Sequence, residues 1–272
     1  RPLSEFVQGG ANGSVLKLSA TARLALQDLE GLASLLATHT PSIISIDMTD
    51  AGIGPEGATL VGQACKASHH VAALGLSCNR LGDAGARSLA VSLPDNPSLK
   101  SLFLRNNEVG PEGARGLCQG LMANAALTKL NLKNNKLGPE GAQELAPLLA
   151  GSKVLLEINL WNNAIGPAGA TALADALGRE GATLEDLDVG CNAIGCEGAK
   201  ALSQALRSNR RIERLNLRWN EIEDEGGAAL GAAFGDNTRL REIQMFGNKL
   251  SEEGAAALDK ACSARPGLKV LQ

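Results

Sequence analysis

A glycine falls six residues after one fixed point eight times along this chain, and the fixed point itself recurs every 28 residues. The fixed positions are Ala51, Asn79, Asn107, Asn135, Asn163, Asn192, Asn220 and Asn248, and the glycines are Gly57, Gly85, Gly113, Gly141, Gly169, Gly198, Gly226 and Gly254. One step of 29 residues, across GREGATL, departs from that spacing. Self-similarity at such a period marks a solenoid, in which each unit can bury its apolar side only against its neighbours.

Two neighbouring copies show what one unit contains. Residues 102–117 read LFLRNNEVGPEGARGL and residues 130–145 read LNLKNNKLGPEGAQEL. Leu99, Leu102, Leu104 and Asn107 spell L-x-x-L-x-L-x-x-N, and the two-residue alternation inside it is that of a short strand. From Ala114 the apolar Leu117 and Leu121 follow at i+3 and i+7, one face of a helix. Gly110-Pro111-Glu112 marks its start. Proline is tolerated at the first helical position because its missing N–H would go unpaired there anyway, and a carboxylate suits the positive helix end. Pro55, Pro139 and Pro167 repeat the device, and the helices are expected to stop near Asn96, Asn124, Asn209 and Asn237 in left-handed caps. Right-handed crossovers then give an α/β solenoid, with parallel strands on the concave face and the wider helices on the convex face. Asn79, Asn107, Asn135, Asn163, Asn192, Asn220 and Asn248 are read as structural, their amides pairing backbone groups that turn inward.

These residues resemble the ribonuclease-inhibitor-like subfamily of leucine-rich repeats, whose units carry the same L-x-x-L-x-L-x-x-N followed by G-x-E-G-A. The resemblance covers roughly residues 43 to 271 and implies a horseshoe. Departures are local: Ala51 for the asparagine, Ala84 and Ala168 for the glutamate, and Glu223 and Ser251 for the glycine before the helix. The expected organisation is an N-terminal capping region over 1–42, with a degenerate repeat at 14–37 whose Glu30-Gly31 match a helix start. Repeats follow over 43–272, eight full units and the start of a ninth strand with Leu268 and Leu271 in register. An apolar strand at an edge invites association, so further sequence or another subunit is expected to cover it. A first residue other than Met suggests a piece of a longer protein.

Composition sets what the chain is not. At 272 residues and 44% apolar it can bury a core without staples, and with 2% aromatics and no Tyr that core is aliphatic and small. A net charge of −3 gives no reason to expect nucleic acid or anionic membrane by default. The sequence shows no membrane-length apolar run and no signal-peptide core at its start, which points to a cytoplasmic setting and no membrane partner. Cys65, Cys78, Cys118, Cys191, Cys196 and Cys262 lie far apart, unlike a disulfide scaffold, and read as reduced thiols.

No chemistry assembles from the residues. Eight GPEGA-like segments are better read as eight helix starts than as phosphate loops. His39, His69 and His70 sit in turns without metal-ligand spacing, and Cys191 with Cys196 has no second pair. No Ser-His-Asp set exists, so no catalytic residue, metal or cofactor is assigned and the segment is read as noncatalytic. Ran GTPase-activating protein shares the repeat subfamily, which makes activation of a small GTPase the alternative, though no residue set of that protein carries over.

The variable positions carry the functional reading. If Leu102 and Leu104 face inward, Phe103 and Arg105 face out, and the slot of Arg105 runs Thr49, Ser77, Arg105, Lys133, Trp161, Gly190, Arg218, Phe246, with Trp219 beside it. Of the six aromatics, four fall on this face. Phe103, Arg105, Lys133, Trp161, Arg218, Trp219 and Phe246 are therefore the candidate partner-binding residues, over roughly 24 Å at one strand per ~4.8 Å. Trp and Arg dominate binding hot spots, which favours a protein partner. Glu157, Asp186 and Asp188 interrupt the basic ridge and make single-stranded RNA the weaker alternative. The resemblance implies a sensing, regulatory or scaffolding module of a larger protein such as a NOD-like receptor.

Overall fold

The computed structural model describes residues 3–10, 13–18, 24–38, 43–263, 265 and 267–271. His39, part of the expected N-terminal cap, Pro266 and Gln272 lie outside the described residues. The chain divides into two compact units, Arg1–Asn135 and Lys136–Gln272.

In the first unit a 3-10 turn at Leu3–Phe6 leads into strands β1 (Val7–Gly10) and β2 (Gly13–Lys17), which pair antiparallel. Two short helices follow, α1 (Leu26–Glu30) and α2 (Leu32–Thr38), so Glu30-Gly31 falls at a break between helices where a single start was expected. Then strand and helix alternate: β3 (Ile43–Asp47), α3 (Gly54–Ala67), β4 (Ala73–Gly75), α4 (Gly82–Ala90), β5 (Ser101–Phe103), α5 (Pro111–Met122) and β6 (Lys129–Asn131). Strands β2 to β6 pair in parallel, in chain order.

The second unit continues the alternation with α6 (Gly138–Gly151), β7 (Glu157–Asn159), α7 (Gly166–Leu177), β8 (Asp186–Asp188) and α8 (Gly195–Ser208). It ends with β9 (Arg214–Asn216), α9 (Asp224–Asp236), β10 (Glu242–Gln244), α10 (Glu252–Ser263) and β11 (Lys269–Leu271). Strands β7 to β11 are likewise parallel neighbours in chain order. The strand-and-helix repeat expected from the periodicity is thus present in both units.

Each repeat closes its core in the same way. Leu102 and Leu104 are buried while Phe103 is half-buried and Arg105 exposed, which separates a core face from an open face. On α5 the buried residues include Ala114, Leu117, Cys118 and Leu121, the expected stripe. Among the described residues the core is mostly aliphatic, with Phe234 on α9 as its fully buried aromatic ring. The recurring glycine exists because its helix packs too close for a side chain: a Cβ on Gly198 would fall 2.2 Å from Ile194 Cγ2 and 2.8 Å from Ala170 Cβ.

The strand-closing asparagines form ladders. In the first unit Asn107 Oδ1 accepts from the N–H groups of Asn79 (2.9 Å) and Leu81 (3.4 Å), while Nδ2 donates to Leu76 O at 2.8 Å. In the second, Asn220 does the same for Asn192, Ile194 and Val189. In most repeats the residues on either side of the asparagine take the left-handed conformation, as Asn106 (φ 55°) and Glu108 (φ 60°) do beside Asn107, while Lys136 and Lys249 do not. That turns the buried amide inward.

Two expectations need correction. Asn96, Asn124, Asn209 and Asn237 are not left-handed caps, since none has a positive φ and all four are buried. Each Nδ2 instead donates to a carbonyl one repeat earlier, as Asn237 does to Leu206 O at 2.7 Å, and each Oδ1 accepts backbone N–H groups two and three residues on. These are second ladders at the helix ends.

The ninth strand is also displaced by one residue. Val270 pairs opposite Ile243, and Leu271 lies opposite Gln244 with 38% of its surface exposed. Helix α10 stops at Ser263, one residue short of the 28-residue step from Asp236. Where a helix-end asparagine would stand, Arg265 donates from Nη2 to Leu240 O at 2.5 Å. Without that asparagine nothing enforces the register.

Candidate functional site

On the open face of the second unit β7, β8 and β9 end in the same local turn. The side-chain oxygen at the last strand residue accepts the N–H two residues on: Asn159 from Trp161 at 3.0 Å, Asp188 from Gly190 at 3.1 Å and Asn216 from Arg218 at 3.1 Å. This pins the backbone under the slot that follows and aims its side chain outward. The first unit uses the turn too, with Asn131 accepting from Lys133 at 3.0 Å.

Trp161 is half-buried because its ring lies over Gly190 of the next repeat. A Cβ on Gly190 would meet Cε3 and Cζ3 of the indole at 2.3 Å. Above that ring sits the Arg218 guanidinium, its Cζ 5.0 Å from the ring centroid, a cation–π distance. Asn216 Oδ1 also accepts from Arg218 Nε at 3.2 Å, so one buried amide holds both the backbone and the side chain of Arg218.

The arrangement recurs two repeats on. Trp219 lies over Gly247, where a Cβ would fall 2.5 Å from the indole Cδ2. It meets Phe246 edge-on, with ring centroids 5.5 Å apart and planes at 85°. Both rings remain open to solvent, Trp219 at 52% and Phe246 at 55% exposed. Trp219 holds a left-handed backbone, φ 57°, at the slot that Asn162, Cys191 and Gly247 fill in neighbouring repeats.

On the strands themselves the face is polar. Arg214 Nε pairs with Asp186 Oδ2 at 2.8 Å, and that carboxylate raises the guanidinium pKa further above its ordinary value. Asn159 Nδ2 donates to Asp188 Oδ2 at 2.9 Å, and Gln244 Nε2 to Glu242 Oε1 at 2.7 Å. Aromatic rings and Arg218 thus lie just beyond the strand ends, and polar side chains with one ion pair among them lie on the strands.

Among the expected residues, the structure brings together Trp161 with Arg218, and Trp219 with Phe246. Phe103, Arg105 and Lys133 belong to the first unit, half-buried, exposed and half-buried on its open face. Gly190, Gly247 and Asn216 were not singled out as site residues. Gly190 could have been, since it is the one glycine in a slot otherwise filled by larger side chains and stands next after Trp161 in the series.

The remaining candidates hold no chemistry. His69 and His70 are exposed in a bend, and the GPEGA-like segments lie at helix starts. Among the described residues no three His, Cys, Asp or Glu are placed to hold a metal ion, and no helix is long and apolar enough to cross a membrane.

A family description, Leucine Rich repeat, matches residues 67–90, 95–118, 123–146, 151–174, 182–203 and 208–231, more than half of the chain. The chain belongs to the leucine-rich-repeat family. As a leucine-rich-repeat protein it shares its fold with the leucine-rich repeat-containing protein LegL7 from Legionella pneumophila. That likeness has a TM-score of 0.62 at 22% identity, over 99% of this chain and 86% of that one. Actin-Binding Site 2 of leiomodin-1 is similar at a TM-score of 0.48 and 22% identity, over 57% of this chain and 90% of its own. No curated protein sequence matches the chain. Leucine-rich repeats of this kind generally serve as protein-interaction modules.

Proposed function

We propose that this leucine-rich-repeat chain is a noncatalytic recognition module that binds a protein partner through the open face of its strands, around Trp161, Arg218, Trp219 and Phe246. One observation carries the reading. Both tryptophans of a chain with only 2% aromatics lie on the open face, each laid on a glycine that leaves it room. Trp and Arg at the centre of a contact are the residues whose truncation costs most in protein binding. Asp186, Asp188 and Glu242 on the same face weigh against a nucleic-acid backbone. Phe103, Arg105 and Lys133 offer a further contact surface on the first unit.

The 28-residue period and the G-x-E-G-A helix starts support the ribonuclease-inhibitor-like subfamily. That subfamily suits a sensing, regulatory or scaffolding role in a larger cytoplasmic protein, of the kind found in NOD-like receptors.

The test is affinity capture on the whole chain and on a Trp161→Ala, Arg218→Ala, Trp219→Ala variant shown to unfold at the same urea concentration. A protein retained by the first and lost by the second is the expected result. Identical retention by both would move the site elsewhere.

A further inference from the structure

In the second unit Arg214 pairs with Asp186, Arg207 with Asp236, and Arg239 and Arg241 both with Glu213. Arg218 joins Arg179, Arg210, Arg211 and Arg265 as the arginines of that unit without a carboxylate partner among the described residues, and of these it is the one laid over an aromatic ring. Its Nε is spent on Asn216 and its flat face on Trp161, and its Nη1 and Nη2 have no partner among the described residues. Side-chain freedom is the main cost of using an arginine for binding, and here that cost has been met inside the fold.

A guanidinium fixed at Nε and stacked on an indole presents its remaining N–H pair as a rigid fork, which fits the two oxygens of a carboxylate. Trp219, its neighbour in the chain, and Phe246 form an exposed apolar pair beside it. Trp219 holds the left-handed backbone that the repeat imposes at this slot, where Asn162 and Cys191 also take it, and its ring stays exposed on the open face. Asp186, Asp188 and Glu242 on the same face make the surroundings unfavourable to a dianion, so a singly charged carboxylate fits better than a phosphate.

Resting on the reading of this face as a protein-binding surface, we infer that the partner is a peptide segment that offers an Asp or Glu carboxylate to Arg218. A bulky apolar side chain close by in its sequence seats on Trp219 and Phe246. The stacked Arg218 supplies specificity for the acid. The two rings supply the apolar contact that an isolated surface ion pair lacks.

The probe is a library of short random peptides displayed on phage and selected on the whole chain, with the winners synthesised and measured by fluorescence anisotropy. The expected consensus holds an acid near a bulky apolar residue. Changing that acid to its amide, or Arg218→Gln or Arg218→Lys in the protein, should weaken binding at least about tenfold. All variants are first matched for unfolding midpoint. A basic consensus, or peptides bound equally by the wild type and Arg218→Gln, would overturn the inference. So would phosphoserine in place of the acid binding tighter. Binding that depends on Trp219 but not on Arg218 overturns the carboxylate contact and leaves the surface standing. Peptides indifferent to Trp219→Ala as well as to Arg218→Gln would sink both.

Discussion

The indole of Trp161 occupies the space above Gly190 that a side chain would fill, with ring carbons 2.3 Å from where a Cβ would sit. Gly190→Ala must therefore lift the ring and with it the platform under Arg218. Overpacking of this kind costs about 1–3 kcal/mol. With Trp219→Phe as background, so that Trp161 is the only indole, the fluorescence of the Gly190→Ala variant should report a more exposed ring. An unchanged spectrum with unchanged stability would show that the ring does not depend on the glycine.

Trp219 sits at a backbone conformation that suits asparagine or glycine. Relief of the left-handed penalty is worth about 1–2 kcal/mol per residue, whereas the edge-on contact with Phe246 contributes about 0.5–1.5 kcal/mol. The two nearly cancel. Trp219→Asn is therefore expected to leave the urea midpoint almost unchanged while abolishing binding of the partner. A loss of more than about 2 kcal/mol would place Trp219 in the fold's own packing.

The ladder of asparagines and glycines was legible in the sequence because it repeats, and eight copies leave one register. What the sequence did not show lies in the residues that do not repeat. Phe103, Trp161, Trp219 and Phe246 could be assigned to the open face by alternation. Nothing in the spacing, however, showed that Trp161 would fold down onto Gly190 and take Arg218 with it. The helix-end asparagines were visible too, but their type suits both a left-handed cap and a buried amide, and cross-repeat bonds decided for the amide. At β11 the 28-residue rule misplaced the strand by one residue, because Arg265 stands where the ladder would have set it.

The helix-end ladder should matter as much as the strand ladder. Asn124 donates from Nδ2 to Leu93 O (2.6 Å) and Asn96 O (3.2 Å), and its Oδ1 accepts from Ala126 (2.9 Å) and Leu127 (2.7 Å). Asn124→Ala strands those buried backbone groups, as Asn107→Ala strands its own, and each is expected to cost about 1–3 kcal/mol. Urea titration measures both. A fully stable Asn124→Ala would mean that water replaces the amide at the helix ends.

Cys65 on α3 is fully enclosed, and burial alone pushes its thiol up to about 12, from an ordinary value of 9.0. The folded chain keeps this proton where the unfolded chain releases it, so the folded state binds more protons above about pH 8.5. The contribution is fully present below the unfolded value and is lost as pH rises toward 12. Stability should fall across that window, and Cys65→Ala should flatten the fall. Mass spectrometry after iodoacetamide treatment at mildly alkaline pH should find Cys65 unmodified in native protein and labelled in urea. The half-buried Cys78, Cys191 and Cys196 should react first. Labelling of native Cys65 as fast as Cys191 would mean that α3 opens locally, which would place the first repeats among the least stable parts of the chain.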